Sequence, residues 1–289
     1  VKTPVILLQQ VVKIFRDKRF RPVQALKGLT LEVEPGEVFG FLGPNGAGKS
    51  TTIKLLTGQI RPSGGRAQVF GLEVTNPLAR ARLGYLPENP AFYDFLTPRE
   101  YLRLVGRIFS LSNGQLAQAS NLVLEQLNLQ AAADRPIRGF SKGMVQRLGL
   151  AQALLHDPEL YILDEPMSGL DPVGRALVKQ IILDLKKRGK TVFFSTHITS
   201  DVEMICDRFA ILDKGELRAL ARVADIRNEN SAEYLVETLA ADGCERVEQC
   251  SGVGLSLRIE SLLAAGYQLR SIVPSRRSLE DFFLDVIDR

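Results

Sequence analysis

The chain has 289 residues, 45% of them hydrophobic and 24% charged, which is enough for a sizeable core and excludes the disordered and fibrous classes. Its net charge of +4 is too mild to argue for a nucleic-acid partner, and no apolar run approaches the roughly 18 residues of a membrane span. Three cysteines without CxxC spacing and two histidines speak against a disulfide framework, a zinc site or a histidine-based metal centre, and the first residues lack the shape of a secretory signal, so a reducing compartment is expected.

In chain order, Val5–Val12 and Leu29–Val33 read as strands. Between them Lys13, Arg16, Lys18, Arg19 and Arg21 stand against Asp17, a charge run that reads as a solvated face or turn. Val38–Leu42 is a short, fully apolar run that suits a buried strand. It ends in Gly43-Pro44-Asn45-Gly46-Ala47-Gly48-Lys49-Ser50-Thr51, and a helix follows with Gly58 at its C-terminal cap. Glycine costs a strand or helix about 0.5–1 kcal/mol, so three in six positions point to a backbone that must itself touch a ligand. The pattern GxxxxGK[ST] between strand and helix is a phosphate-binding loop. Its N–H groups form an anion nest, and the positive end of the next helix faces the same space. Lys49 reaches the outer phosphates, the Ser50 hydroxyl suits Mg²⁺, and Thr51 adds a hydrogen bond to phosphate.

Arg61–Gly65 reads as a turn, and "RAQVFG" and "LGYLP" as further strands. From Phe92 the spacing becomes helical, with Tyr101, Leu104, Val105, Ile108 and Phe109 on one expected face. After an Asn113–Gly114 turn, Leu116, Leu122, Val123 and Leu127 outline another helix, so residues 92–158 are expected to form a helical insert in an α/β domain. The strand "LYIL" then ends in Asp164 and Glu165. Beside a phosphate loop, Asp164 is placed to hold Mg²⁺ and Glu165 to polarise the attacking water as general base. Asp171 and Pro172 start a helix, "TVFFST" is a strand, and Ser200 with Glu203 reads as a capping box. "FAIL" and "ELRAL" close the sheet, and "RNENS" reads as a linker to a small tail made of "YLVETL", "IESLLAAG", "YQLRSIV" and a final helix striped by Leu279, Phe282, Phe283, Val286 and Ile287.

The ordered set of the phosphate loop at 43–51, "FSKGMVQR" at 140–147, "LYILDEP" at 160–166, "SGLD" at 168–171 and "STH" at 195–197 closely resembles the nucleotide-binding subunit of ABC transporters, over about residues 5–220. The resemblance implies a P-loop NTPase fold: a RecA-like α/β sheet with an N-terminal antiparallel β part, a helical subdomain over about 92–158, and a small α+β C-terminal tail. The expected division is an ATPase domain at 1–221 and an accessory domain at 222–289. The resemblance also implies ATP and Mg²⁺ as cofactors and Phe15 as the aromatic that stacks on adenine, with Phe20 as its rival. His197 becomes the switch histidine that senses the γ-phosphate, and Asp171 part of the loop that crosses between subunits.

"SKGM" stands where the family usually has SGGQ: Ser141 and Gly143 are kept, while Lys142 and Met144 replace glycine and glutamine. In the family this segment contacts the γ-phosphate bound by the other subunit. With one phosphate loop and one signature per chain, a complete site requires a second copy or a paralogous ATPase subunit. Glu88 in "YLPENP" stands where the family usually has glutamine. It is a further Mg²⁺ ligand whose carboxylate adds repulsion on the order of 4 kcal/mol to a phosphate charge at about 4 Å and an effective dielectric of 20. "AFYDFLTPREYL" lies where the family receives the membrane subunit, or else belongs to the core of the helical insert.

The signature form, "GYLPEN" and the tail "SLEDFFLDV" look most like type-2 exporter ATPases of bacteria. The expected role is a cytoplasmic ATPase, peripheral on the inner face of the membrane, that drives export through an integral membrane permease. An import-type subunit is the alternative. A soluble ABC ATPase acting on nucleic acid or ribosomes fits less well, because too few residues separate Lys49 from Ser141 for a long coiled coil and the chain carries one motif set. No nucleic acid is expected as a partner.

Overall fold

An antiparallel hairpin opens the fold: β1 (Ile6–Arg16) pairs with β2 (Pro22–Val33). Both strands run further than the apolar pattern predicts. Asp17 ties the turn, its Oδ1 accepting from the Arg19 and Arg21 amides at 2.8 Å and its Oδ2 from Arg21 Nε at 3.1 Å, so the basic run becomes a hairpin end. The computed structural model describes residues 3–228, 233–240, 243–274 and 278–288.

β3 (Val38–Leu42), buried throughout, leads into α1 (Lys49–Leu56). Gly58, at φ +69°, follows the last turn of this helix. β4 (Gly64–Val69) starts inside the expected turn, and β5 (Leu72–Glu73), α2 (Pro77–Arg80) and β6 (Leu83–Leu86) follow. The first antiparallel sheet has the order β2-β1-β4-β5.

The helical stretch holds α3 (Pro98–Ile108), α4 (Asn113–Gln126), two 3₁₀ turns and α5 (Lys142–Leu154). Two expected faces are corrected here. α3 buries Leu102 and Val105, while Leu104 and Ile108, the latter 73% exposed, lie outside the core. Its inward line runs through 98, 102, 105 and 106, so the expected stripe straddled two sides of the helix. In α4 Val123 and Leu124 are buried and Leu122 is 52% exposed. Asn113 and Gly114 are not a turn but the first two helical residues. Ser112 caps them, with Gln115 closing a capping box.

β7 (Leu160–Asp164), α6 (Pro172–Lys187), β8 (Thr191–Thr196), α7 (Thr199–Ile205), β9 (Arg208–Asp213) and β10 (Glu216–Arg222) follow. The Ser200–Glu203 capping box does not form: α7 begins two residues earlier than that box requires, behind Ile198, whose amide is held by Thr196 Oγ1 at 3.1 Å. The second sheet has the order β10-β9-β3-β8-β7-β6, with β9, β3, β8, β7 and β6 parallel. α1 packs against β2, β4 and β7. One apolar core joins Ile6, Leu8 and Leu31 of the antiparallel sheet, Ile53 and Leu55 of α1, and Phe39, Phe41, Ile162 and Phe193 of the parallel sheet. Full burial of such a side chain contributes about 1.5–3 kcal/mol, so this core fixes the helix that carries Lys49.

Contacts divide the chain into two compact units, Val1–Leu220 and Ala221–Arg289. The second holds α8 (Val223–Asn228), β11 (Glu233–Leu239), β12 (Glu245–Ser251), α9 (Leu255–Ala264), β13 (Gln268–Pro274) and α10 (Leu279–Ile287). Its antiparallel sheet has the order β12-β11-β13 and is packed through Val236, Cys250 and Leu262. Arg227 and Asn228 of the expected linker lie in α8, and the rest of "RNENS" lies outside the described residues. On α10 Leu279 is buried and Phe282, Phe283, Val286 and Ile287 are half-buried, as the stripe predicts. Among the described residues, no helix is long and apolar enough to cross a membrane.

Candidate nucleotide-binding and catalytic site

Strand register gathers the motifs at one edge. Leu42, the last residue of β3, stands opposite Thr196, Asp164 opposite Ser195, and Leu86 opposite Leu163. The loop at 43–48, His197, the Asp164–Glu165 pair and Glu88 therefore leave the sheet at its carboxyl edge, where ligands of open α/β sheets bind.

The loop is shaped by close approach. A Cβ on Gly43 would stand 2.3 Å from the Leu212 carbonyl oxygen, and one on Gly48, at φ +112°, 2.9 Å from that of Ala25. Gly48 is the N-cap of α1, with no acidic residue in the first turn, so the positive helix end faces the loop uncompensated. Lys49 is buried. Its Nζ donates to Gly43 O at 2.5 Å and Pro44 O at 3.3 Å and lies 3.9 Å from Glu165 Oε1. Burial lowers its pKa, while Glu165, Asp164 and Glu88 pull the other way.

A cavity of about 170 Å³ is lined by Ala25, Pro44, Asn45, Gly46, Gly48, Lys49, Ser50, Thr51, Glu88, Asp164 and Glu165. Gly43 and Ala47 support the loop from within: the Gly43 carbonyl accepts from Lys49 Nζ, and the N–H of buried Ala47 donates to Pro44 O while its carbonyl accepts from the Gly215 amide. Asp164 is buried, and Ser195 Oγ donates to its Oδ1 at 2.5 Å. Burial raises the Asp164 pKa, Ser195 opposes that, and the charges of Glu88 and Glu165 add to it.

Glu165 sits at φ +48°, a strained conformation for a residue with a side chain. Its amide donates to Ser195 Oγ at 3.0 Å, and buried Gln146 of α5 donates Nε2 to its carbonyl at 3.3 Å. His197 Nδ1 is 3.0 Å from both carboxylate oxygens of Glu165. A carboxylate only accepts, so Nδ1 is the donor in this contact. Ser195, Gln146 and Ala25 were not singled out from sequence. The first two lay inside motifs, but their roles depend on pairing across about 30 and 20 positions, which no local pattern shows.

Besides Gly43 and Ala47, five expected site residues lie outside the lining: His197, whose exposed ring reaches the cavity only through its contact with Glu165, and Phe15, Ser141, Gly143 and Asp171. Phe15 is 39% exposed on β1 opposite Val23, with Lys13 Nζ 5.0 Å from its ring centroid. Ser141 is an exposed N-cap of α5, accepting from the Met144 amide at 3.3 Å, and Gly143 follows in the first turn. Asp171 is the exposed N-cap of α6 and accepts from the Gly174 amide at 2.8 Å. The oxygen donors lining the cavity are the hydroxyls of Ser50 and Thr51 and the carboxylates of Glu88, Asp164 and Glu165. That all-oxygen set suits a hard divalent cation such as Mg²⁺.

A phosphate loop between β3 and α1 at the carboxyl edge of a parallel sheet, with an acid pair on a neighbouring strand, defines a P-loop nucleotide-binding protein. The family profile described as ABC transporter matches residues 26–168. The chain is 39% identical over 300 residues to the uncharacterized ABC transporter ATP-binding protein sll0415 of Synechocystis sp., covering 98% of this chain and 85% of that protein. It is 38% identical over 219 residues to the Nod factor export ATP-binding protein I of Cupriavidus metallidurans, covering 74% and 69%. A solved structure of the ATP binding subunit of an ABC transporter superposes with a TM-score of 0.70 at 32% identity, covering 78% of this chain and 92% of that one. The chain belongs to the ABC transporter family, as an ATP-binding subunit.

Proposed function

We propose that the protein is an ATPase that closes as a dimer around ATP and drives export through a separate integral membrane permease. The observation that carries this reading is the convergence of Lys49, Asp164, Glu165 and His197 at one sheet edge, while Ser141 and Asp171 lie outside the cavity lining. A triphosphate seated on the loop is held by its amides and by Lys49, with Thr51 adding a hydrogen bond. Ser50, Asp164 and Glu88 would hold Mg²⁺, which when bound neutralises phosphate charge. Glu165 takes the proton of the attacking water, and His197 holds that carboxylate in place and senses the γ-phosphate. Phe15 stacks on the adenine from the exposed end of β1.

Ser141, Gly143 and Asp171 act on the nucleotide of a partner copy or a paralogous subunit, with the α5 N-terminus directed at phosphate. The two motif halves are then satisfied only in the closed pair, and hydrolysis removes the bridge and releases it. The word "export" in the name of the Cupriavidus relative supports that direction over import. Residues 1–221 form the ATPase domain and 222–289 an accessory domain, and the protein works at the cytoplasmic face of the membrane. Glu165→Gln is the test. It is expected to keep ATP binding, to lose turnover by at least about 100-fold, and to elute as a stable dimer in Mg-ATP. A monomeric, fully active Glu165→Gln protein would overturn the assigned base.

A further inference from the structure

A second cavity, of about 470 Å³, lies between α3 and α4, and its lining includes Arg99, Arg103, Arg107, Asn113 and Ser120. The three arginines fall at i, i+4 and i+8 on α3, one above another along a single face. Like charges at this spacing repel, so the stripe is unfavourable unless something negative sits against it. Arg99 is fixed from behind by Asp134 Oδ1 at 3.2 Å and Asn121 Oδ1 at 2.6 Å. Among the described residues, Arg103 and Arg107 have no side-chain hydrogen bond and no ion pair; the carboxylate of Glu100, on the same helix, feels the charge of Arg103 without pairing with it. The opposite wall adds to the positive field. α4 starts there at Asn113, with no acidic residue in its first turn. Its capping box spends Ser112 on the Gln115 amide, which leaves the Asn113 and Gly114 amides without an intrahelical acceptor. A Cβ on Gly114 would meet nothing within 4 Å, so that backbone is open to approach.

We propose that this cleft is a binding site for a compact, multiply charged phosphorylated ligand, separate from the nucleotide cavity. Guanidinium forks at Arg103 and Arg107 match phosphate oxygens in pairs, and the α4 N-terminus supplies backbone donors to the same anion. The chemistry is that of adjacent phosphates, either on a free polyphosphate or on a phosphomonoester lipid headgroup at a membrane surface.

The test uses the full chain carrying Lys49→Ala, so that the phosphate loop does not take up the probe. Inorganic tripolyphosphate is titrated by calorimetry at low salt, and vesicles of phosphatidylcholine with phosphatidic acid are co-sedimented against phosphatidylcholine alone. Binding of either probe is expected, weakening at least about tenfold in Arg103→Gln/Arg107→Gln and recovering in part in Arg103→Lys/Arg107→Lys. Uptake of tripolyphosphate alone identifies a soluble ligand; added retention on acidic vesicles identifies the headgroup. Equal thermal melts of the variants establish that each is folded, and with Lys49 restored the glutamine pair is expected to keep the wild-type KM for Mg-ATP. Absence of binding to both probes, or binding unchanged by the glutamine pair, overturns the proposal.

Discussion

Asp164 sits in an electrostatic conflict. Burial, assisted by Glu88 and Glu165, raises its pKa above the ordinary 3.8. The folded state then holds its proton to higher pH than the unfolded chain. The group's stabilising contribution is fully present below that ordinary value and is lost as pH rises through the folded one. Asp164→Asn, which keeps an acceptor for Ser195 Oγ, is therefore expected to melt higher than wild type at pH 7.5 without nucleotide, and the gap should close on acidification. A lower melting temperature at pH 7.5 would show that the carboxylate is stabilised by its neighbours. Glu88 adds to the same field from the cavity wall. Titrating Mg²⁺ against ATPase rate in Glu88→Gln should move the half-maximal concentration downward, and an unchanged curve rejects that role.

At the level of elements, the loop-bearing strand and helix were legible because their signals are local: a continuous apolar run, three glycines and a lysine within a dozen residues. The acid pair was legible for the same reason. The buried side of α3 was not, because Leu104 and Ile108 are apolar yet point outside the core, and only packing against α4 and α5 tells Leu102 and Val105 from them. β12 escaped notice because Glu245–Ser251 alternates mostly polar residues on a small sheet. The close fit of β6 against α5 was equally hidden: a Cβ on Gly84 would stand 2.4 Å from the Ala153 carbonyl oxygen and 2.9 Å from Pro158 Cγ. Gly84→Ala is expected to destabilise the fold by about 1–3 kcal/mol in urea unfolding, against less than about 0.5 kcal/mol for Gly139→Ala, where the nearest atom to an added Cβ, Arg135 Nη2, would be 3.9 Å away. Equal midpoints for the two would show that β6 and α5 move apart without cost.

At the scale of the whole molecule, the central claim is that one chain supplies half of each triphosphate pocket and another chain the rest. The cavity of the single chain holds the loop, the lysine and the acids, while Ser141 caps a helix elsewhere on the surface. Disulfide trapping between separately purified Asn45→Cys and Ser141→Cys proteins addresses this directly. Both should carry Glu165→Gln, to stop turnover, and Cys244→Ser, to remove the exposed native thiol. Mixed and oxidised mildly, they should form a covalent pair with Mg-ATP and not without it. If both proteins bind Mg-ATP and no cross-link forms, the shared pocket does not exist and the account fails.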